Sequence, residues 1–181
     1  HSWTRNFYNC LLCGDIAPYS NTQSSFGAGY MSIKNQSGTV SGFVSSYGAG
    51  AMLYESIGAG NSTLGIVVGT SNTAFSANDY ALGGKIASGN GSGQLYYQAA
   101  TTNAAAYDNT AGAEKWTITA HRVFNNNSGA SITVKETGVV GYLGNYAYLV
   151  ERDVLASEVA VANGAQLTVT YTVSMDYSAI D

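Results

Sequence analysis

The stretch that most limits what this chain can become is its last arm, from Gln166 to Tyr177. Every odd position from Leu167 to Met175 is apolar, and every even position from Thr168 to Asp176 is polar. A period of two places successive side chains on opposite faces, so the arm is a strand with one face on a core and one in water. Its Thr and Val content suits a pleated surface. A slip of one residue would turn the apolar set to solvent, so the register is fixed as well. Just upstream, Ala162-Asn163-Gly164-Ala165 carries the Asn-Gly pair that a two-residue type I′ hairpin requires.

The segments before it have the same character. Lys115–Phe124, Ile132–Leu143 and Tyr146–Val154 read as strands, with Gly144-Asn145 as a two-residue turn and Asn125–Gly129 as a polar loop. Together they predict an antiparallel C-terminal meander. Leu64–Gly69 is wholly apolar and reads as a strand buried on both sides, and Gln94–Gln98 as another. Shorter strands are expected at Tyr30–Lys34, Thr39–Val44 and Ala51–Ser56. Thr70–Leu82 is expected as an ordered loop with Asp79 capping local backbone, and Thr101–Gly112 as a second loop. Only the amino terminus has helical periodicity: Trp3, Phe7 and Leu11 stand at i, i+4 and i+8. A solitary short helix is marginal, so segment 1–14 should pack on the sheet or on a neighbouring subunit. At 181 residues the whole chain, 1–181, fits one domain. The expected class is all-β: an antiparallel β-sandwich of two packed sheets with a C-terminal meander and a short N-terminal helix.

Ionisable groups are scarce, at 10% of residues. Seven Lys and Arg without a basic stripe, and a net charge of −4, speak against nucleic-acid binding. No apolar run approaches the roughly 20 residues of a membrane span. Cys10-Leu11-Leu12-Cys13 lacks the preceding strand of a redox motif, and a zinc site would need His1 and His121 from distant places. The two cysteines read as small buried hydrophobes, or as a local disulfide in an oxidising setting. His121 falls on the wet face of its strand, and no nucleophile elbow, zinc-protease, phosphate-loop or calcium-loop motif occurs. No catalytic residue, metal ligand or cofactor is therefore assigned. Four Asn-x-Ser/Thr sequons, at Asn35, Asn61, Asn90 and Asn126, match what so much Asn, Ser and Thr gives by chance. One electrostatic feature stands out. By alternation Arg122, Glu136 and Arg152 point inward on consecutive strands, where unpaired charges would be costly. Glu136 should therefore contact Arg122 or Arg152. The alternative is a bulge near Gly138 or Glu151 that turns the charges outward.

Several pieces recur in one order. They are Gly65-Ile66-Val67-Val68-Gly69-Thr70, Asp79-Tyr80-Ala81-Leu82, Gly93-Gln94-Leu95, Asn126 to Val134, and Arg152 to Ser157 leading into Leu167 to Thr172. From about Leu64 to Val173 the chain resembles small virion structural proteins of tailed bacteriophages and metagenomic viruses. The resemblance implies a place in a virion and supplies no catalytic residue.

The expected function is accordingly that of a non-enzymatic structural subunit of a phage particle: a tail, fibre or head-decoration component. Independently of the resemblance, an exterior poor in charge and rich in Tyr, Gly and Thr suits repeated subunit contacts. Expected contact residues are Trp3, Phe7 and Leu11 on the helix, and Leu167, Val169, Tyr171, Val173 and Met175 on the final strand, which can add to a neighbour's sheet. Expected partners are copies of the chain and other virion structural proteins. A secreted filament or surface-layer subunit is the alternative, which a signal peptide upstream of His1 in the full gene would favour. A third reading is a carbohydrate- or receptor-binding module for host-surface glycan.

Overall fold

A computed structural model describes residues 2–11, 33–41, 57–143 and 146–176. In chain order its elements are α1 (Arg5–Leu11), β1 (Ile33–Lys34), β2 (Val40–Ser41), β3 (Gly65–Gly69), β4 (Tyr96–Tyr97), β5 (Thr101–Thr102), β6 (Ala106–Asp108), β7 (Lys115–Asn125), β8 (Ile132–Leu143), β9 (Tyr146–Val161) and β10 (Gln166–Asp176). The protein is all-β, with two packed antiparallel sheets and a short N-terminal helix. One sheet has the order β3-β8-β9. In the other, β7 is flanked by β10 on one side and by β4, β5 and β6 in succession on the other. β1 and β2 form a separate small hairpin.

The long C-terminal strands divide between the two layers. β8 and β9 pair as a hairpin up to Leu143↔Tyr146, while β10 pairs with β7 from Gln166↔Asn125 to Asp176↔Lys115. The expected hairpin between β9 and β10 is thus replaced by a turn that changes sheets. Ala165 N–H still closes that turn on the Ala162 carbonyl at 3.0 Å, and Gly164 takes the positive φ of 83° that its position demands. The local chemistry made a turn, and the choice of neighbour was left to packing.

Between the layers lie Ile66, Val68, Leu95, Tyr97, Phe124, Val134 and Tyr171, all within one buried cluster. Tyr97 and Phe124 meet edge to face with ring centroids 4.7 Å apart. β3 is buried at all five positions, as its apolar run predicts. The second sheet lies over one of its faces, and the 70–84 loop lies over the other. That loop presses on β8 at Gly138, where a Cβ would stand 2.9 Å from Leu82 and from the Glu151 carbonyl. The N-terminal segment covers β9. Thr4 N–H donates to the Val150 carbonyl at 3.0 Å, and its hydroxyl to the Leu149 carbonyl at 2.7 Å. Trp3 and Phe7 stack with centroids 4.0 Å apart and pack against the core cluster.

Two local expectations are revised, and others lie outside the described residues. Thr101–Gly112 is more than a loop, because β5 and β6 use backbone bonds to β7 that need no apolar pattern. β9 runs past Val154 to Val161: Glu136 pairs with Val154 but Val134 with Val159, so the residues between arch out as a bulge. Of the expected strands at Tyr30–Lys34 and Thr39–Val44, the described residues are β1, Thr39 and β2. Ala51–Ser56, Gly144-Asn145 and Cys13 fall outside them, as do the side chains of Cys10 and Leu11.

Candidate functional site

Three regions gather the side chains capable of chemistry or contact: a charged cluster under the 70–84 loop, an arginine between the sheets, and the open side along β10.

Glu136 and Arg152 meet on β8 and β9, with Arg152 Nε donating to Glu136 Oε2 at 2.8 Å. Thr137, next to Glu136, faces the opposite sheet, since its hydroxyl lies 2.6 Å from the Tyr171 hydroxyl. Neighbouring strand residues point to opposite faces, so Glu136 faces the 70–84 loop instead. The register shift between Val134 and Glu136 reverses the parity that the sequence reading had assigned to Glu136. A second shift lies between Val139 and Val140, opposite Glu151 and Leu149. Neither turns a charge to solvent, because the loop covers this face: Glu136 is 0% exposed and Arg152 2%. Glu136 accepts backbone N–H groups of Gly84 at 2.7 Å, Gly83 at 3.2 Å and Ser71 at 3.3 Å. Arg152 donates through Nη1 to Asp79 Oδ2 at 2.8 Å and through Nη2 to the Thr73 carbonyl at 2.9 Å. Asp79 in turn accepts from Ser76 N–H at 2.9 Å, the local cap its sequence position predicts. Burial lowers the proton affinity of the Arg152 guanidinium, and its bonds to Glu136 and Asp79 outweigh this and raise it above its ordinary value. These groups hold a loop in place, with both oxygens of Glu136 each accepting two bonds.

Arg122 is separate from that cluster. It lies between the sheets, 0% exposed, and among the described residues it meets carbonyl oxygens and no carboxylate. Its Nε donates to Gln98 at 2.8 Å, Nη1 to Leu64 and Ile66 at 3.1 Å each, and Nη2 to Asn61 at 2.6 Å and Gly58 at 3.5 Å. A guanidinium has five N–H donors, and here each points at a carbonyl. Its carbon stands 4.8 Å from the Tyr97 ring centroid. Loss of solvent pulls its pKa down to about 10, so it remains charged at neutral pH. The predicted contact of Glu136 is therefore with Arg152. Arg122 serves instead to gather the 58–66 segment and β4.

A third polar residue, missed by pattern reading, sits where the chain crosses between sheets. Asn126 is 0% exposed and donates through Nδ2 to the carbonyls of Ala130 at 2.8 Å and Val161 at 2.6 Å. Its Oδ1 accepts from Ser128 N–H at 3.0 Å and hydroxyl at 2.7 Å. Its backbone pairs with Ala165 and Gly164. The sequon at Asn126 is thus a structural joint, its amide consumed by the fold.

The expected contact residues fall into two sets. Trp3 and Phe7 are half-buried on their own sheet. On β10, Leu167, Val169 and Val173 are half-buried, Tyr171 is buried, and Met175 is 58% exposed. Burial pushes the Tyr171 hydroxyl's pKa above its ordinary value. Beside β10 runs a cleft of about 350 Å³ between Leu167–Tyr171 and residues of the other sheet, among them Thr137, Asp153, Leu155 and Val159. At the far end of β7, Tyr107, Trp116 and Met175 lie in one row across three strands, exposed by 51%, 41% and 58%. The Tyr107 and Trp116 rings are 4.9 Å apart. Alternation in β7 puts Trp116 on the same side as the buried Arg122 and Phe124, so this row continues the core-facing side beyond the core. Trp116 was legible as inward-facing. Its exposure was not, because that depends on how far the opposite sheet reaches.

His121 is half-buried, opposite Thr170 and Thr101. Among the described residues no group of three His, Cys, Asp or Glu could hold a metal ion, and no helix is long and apolar enough to cross a membrane. Comparison of the chain with protein-family models, with curated proteins and with solved structures finds no match.

Proposed function

We propose that the chain is a non-enzymatic structural subunit of a phage virion, a tail, fibre or head-decoration component that works through subunit contacts. The observation that carries this reading is the uncovered row Tyr107, Trp116 and Met175. It presents the core-facing side of a sheet where a second molecule can cover it, and contiguous apolar surface of this kind marks contact sites. The chain as a whole is poor in charge, and the charged residues of the next row, Asp108, Lys115 and Asp176, alternate in sign across the three strands and can border such a contact. The resemblance from Leu64 to Val173 is what selects a virion over another assembly. Its partners are then copies of itself and other virion structural proteins. Mass spectrometry of density-banded particles from the source of the sequence tests this. Peptides of the chain should be recovered at the stoichiometry of a structural protein, and recovery only from the particle-free fluid would refute it.

The aromatic pair favours one second reading. Adjacent Tyr107 and Trp116 rings offer the flat faces on which sugars stack, as in a receptor-binding module for surface glycan. Binding of the isolated protein on a glycan array, lost in Trp116→Ala, would select it.

A further inference from the structure

We infer that the outer edge of β10 docks β10 of a second copy, the two strands running antiparallel about a two-fold axis at Tyr171. The inference rests on the subunit-contact reading above and names its surface and its partner.

The first observation is the edge itself. Among the described residues β10 pairs with β7 alone, along its whole length and without a register shift. Sheet edges that stay solitary are blunted by lysine, proline, bulges or shortness. From Gln166 to Met175 there is no charge and no proline, and the strand has 11 residues. The second observation is the cleft. Five successive residues, Leu167 to Tyr171, line it. Successive strand residues point to opposite faces, so residues of both parities border one space where the strand's edge forms the wall. The opposite side offers Leu155 and Val159. An added strand would bond to β10 through its backbone and turn alternate apolar side chains into that cleft.

The sequence of β10 selects the occupant. With Tyr171 on the axis, Thr170 faces the partner's Thr172, Thr168 the partner's Ser174, and Val169 the partner's Val173. Gln166 faces the partner's Asp176, so no like charges oppose each other. Leu167 then faces the partner's Met175, the most exposed large apolar side chain on the strand at 58%, and brings it to the cleft. A closed two-fold of this kind is the commonest symmetry of homo-oligomers.

The test uses the outward-facing, exposed Thr170 and Thr172. Light scattering should find the native protein as a dimer or a larger even-numbered assembly. T170K/T172K sets lysine against lysine twice across the axis and should give a monomer with an unchanged circular dichroism spectrum. T170K/T172E sets lysine against glutamate at the same two positions and should restore association, weakened by salt. The inference is overturned by a native protein that stays monomeric at its highest soluble concentration. It is equally overturned by T170K/T172K assembling as the native chain does, or by a monomer that binds a companion protein through this edge. Recovery from banded particles does not depend on these outcomes, so the virion reading and this edge can fail separately.

Discussion

Removing the Arg122 guanidinium tests how much of the fold hangs on one buried cation. In Arg122→Met the aliphatic stem is kept and the donors are lost. Four carbonyls, those of Asn61, Gln98, Leu64 and Ile66, lose bonds of 2.6 to 3.1 Å to a side chain that is itself fully buried. An unsatisfied buried acceptor costs about 1–3 kcal/mol. Against this, methionine no longer has to strip water from a charge, which refunds several kcal/mol. No charge is left unpaired, so the lost acceptor bonds weighed against that relief should give a net loss of about 2–5 kcal/mol. That is a large part of the roughly 5–15 kcal/mol that holds a domain together. Arg122→Lys keeps the charge and three donors, so it should lose less than Arg122→Met. Urea unfolding followed by tryptophan fluorescence reads both, Trp3 and Trp116 being the reporters. A loss below about 1 kcal/mol for Arg122→Met would show that the carbonyls find other donors, and would refute the claim that Arg122 gathers the 58–66 segment.

Glu136→Gln keeps the shape and removes the charge that three N–H groups and Arg152 share. It should cost about 3–5 kcal/mol and speed hydrogen exchange at Ser71, Gly83 and Gly84 more than in the β8 interior. Asn126→Ala should cost about 2–4 kcal/mol, since two donated and two accepted bonds vanish from a site 0% exposed; thermal denaturation measures it. Burial, with Asp153 second, pushes the Glu151 carboxyl up to about 8. The folded state therefore holds a proton that the unfolded chain has released above about 4.5. Stability should fall as pH rises between those values, by no more than about 1.4 kcal/mol per unit for one proton, and level off above. Glu151→Gln should flatten that slope in a pH series of urea titrations, and an unchanged slope would assign it to another group.

The parts of this structure that were legible in sequence are those set by local alternation. Leu167 to Met175 and Trp116 to Phe124 fixed which side chains of β10 and β7 look inward, and the burial of Arg122 followed. Alternation buries Glu136 on the wrong face: a bulge beside Val134 reverses it, and a loop far away in sequence covers it. Nothing in the residues around Arg122 announces Asn61 or Gln98 as partners, since a carbonyl is the same at every position. The Asn163-Gly164 turn was readable as a turn, but a short turn can join strands within a layer or between layers. The cleft along β10 had no signal at all: it is the gap left where β9 and β10 part company after that turn.

Asn126 also bears on the order of assembly. It ties the link from β7 to β8 to the link from β9 to β10, so both crossings are complete only when they meet. The pairs next to this junction, such as Asn125↔Gln166, are the closest in sequence along the β7–β10 ladder, and the distance along the chain grows toward Lys115↔Asp176. Closing the least entropically costly loop first, the ladder zips outward from the asparagine. On this ladder the far pair Trp116↔Met175 is the last to form and the first to fray, whereas Trp116 is held early by Tyr107 across the much shorter β6–β7 connection, so Met175 is the adaptable member of the apolar row.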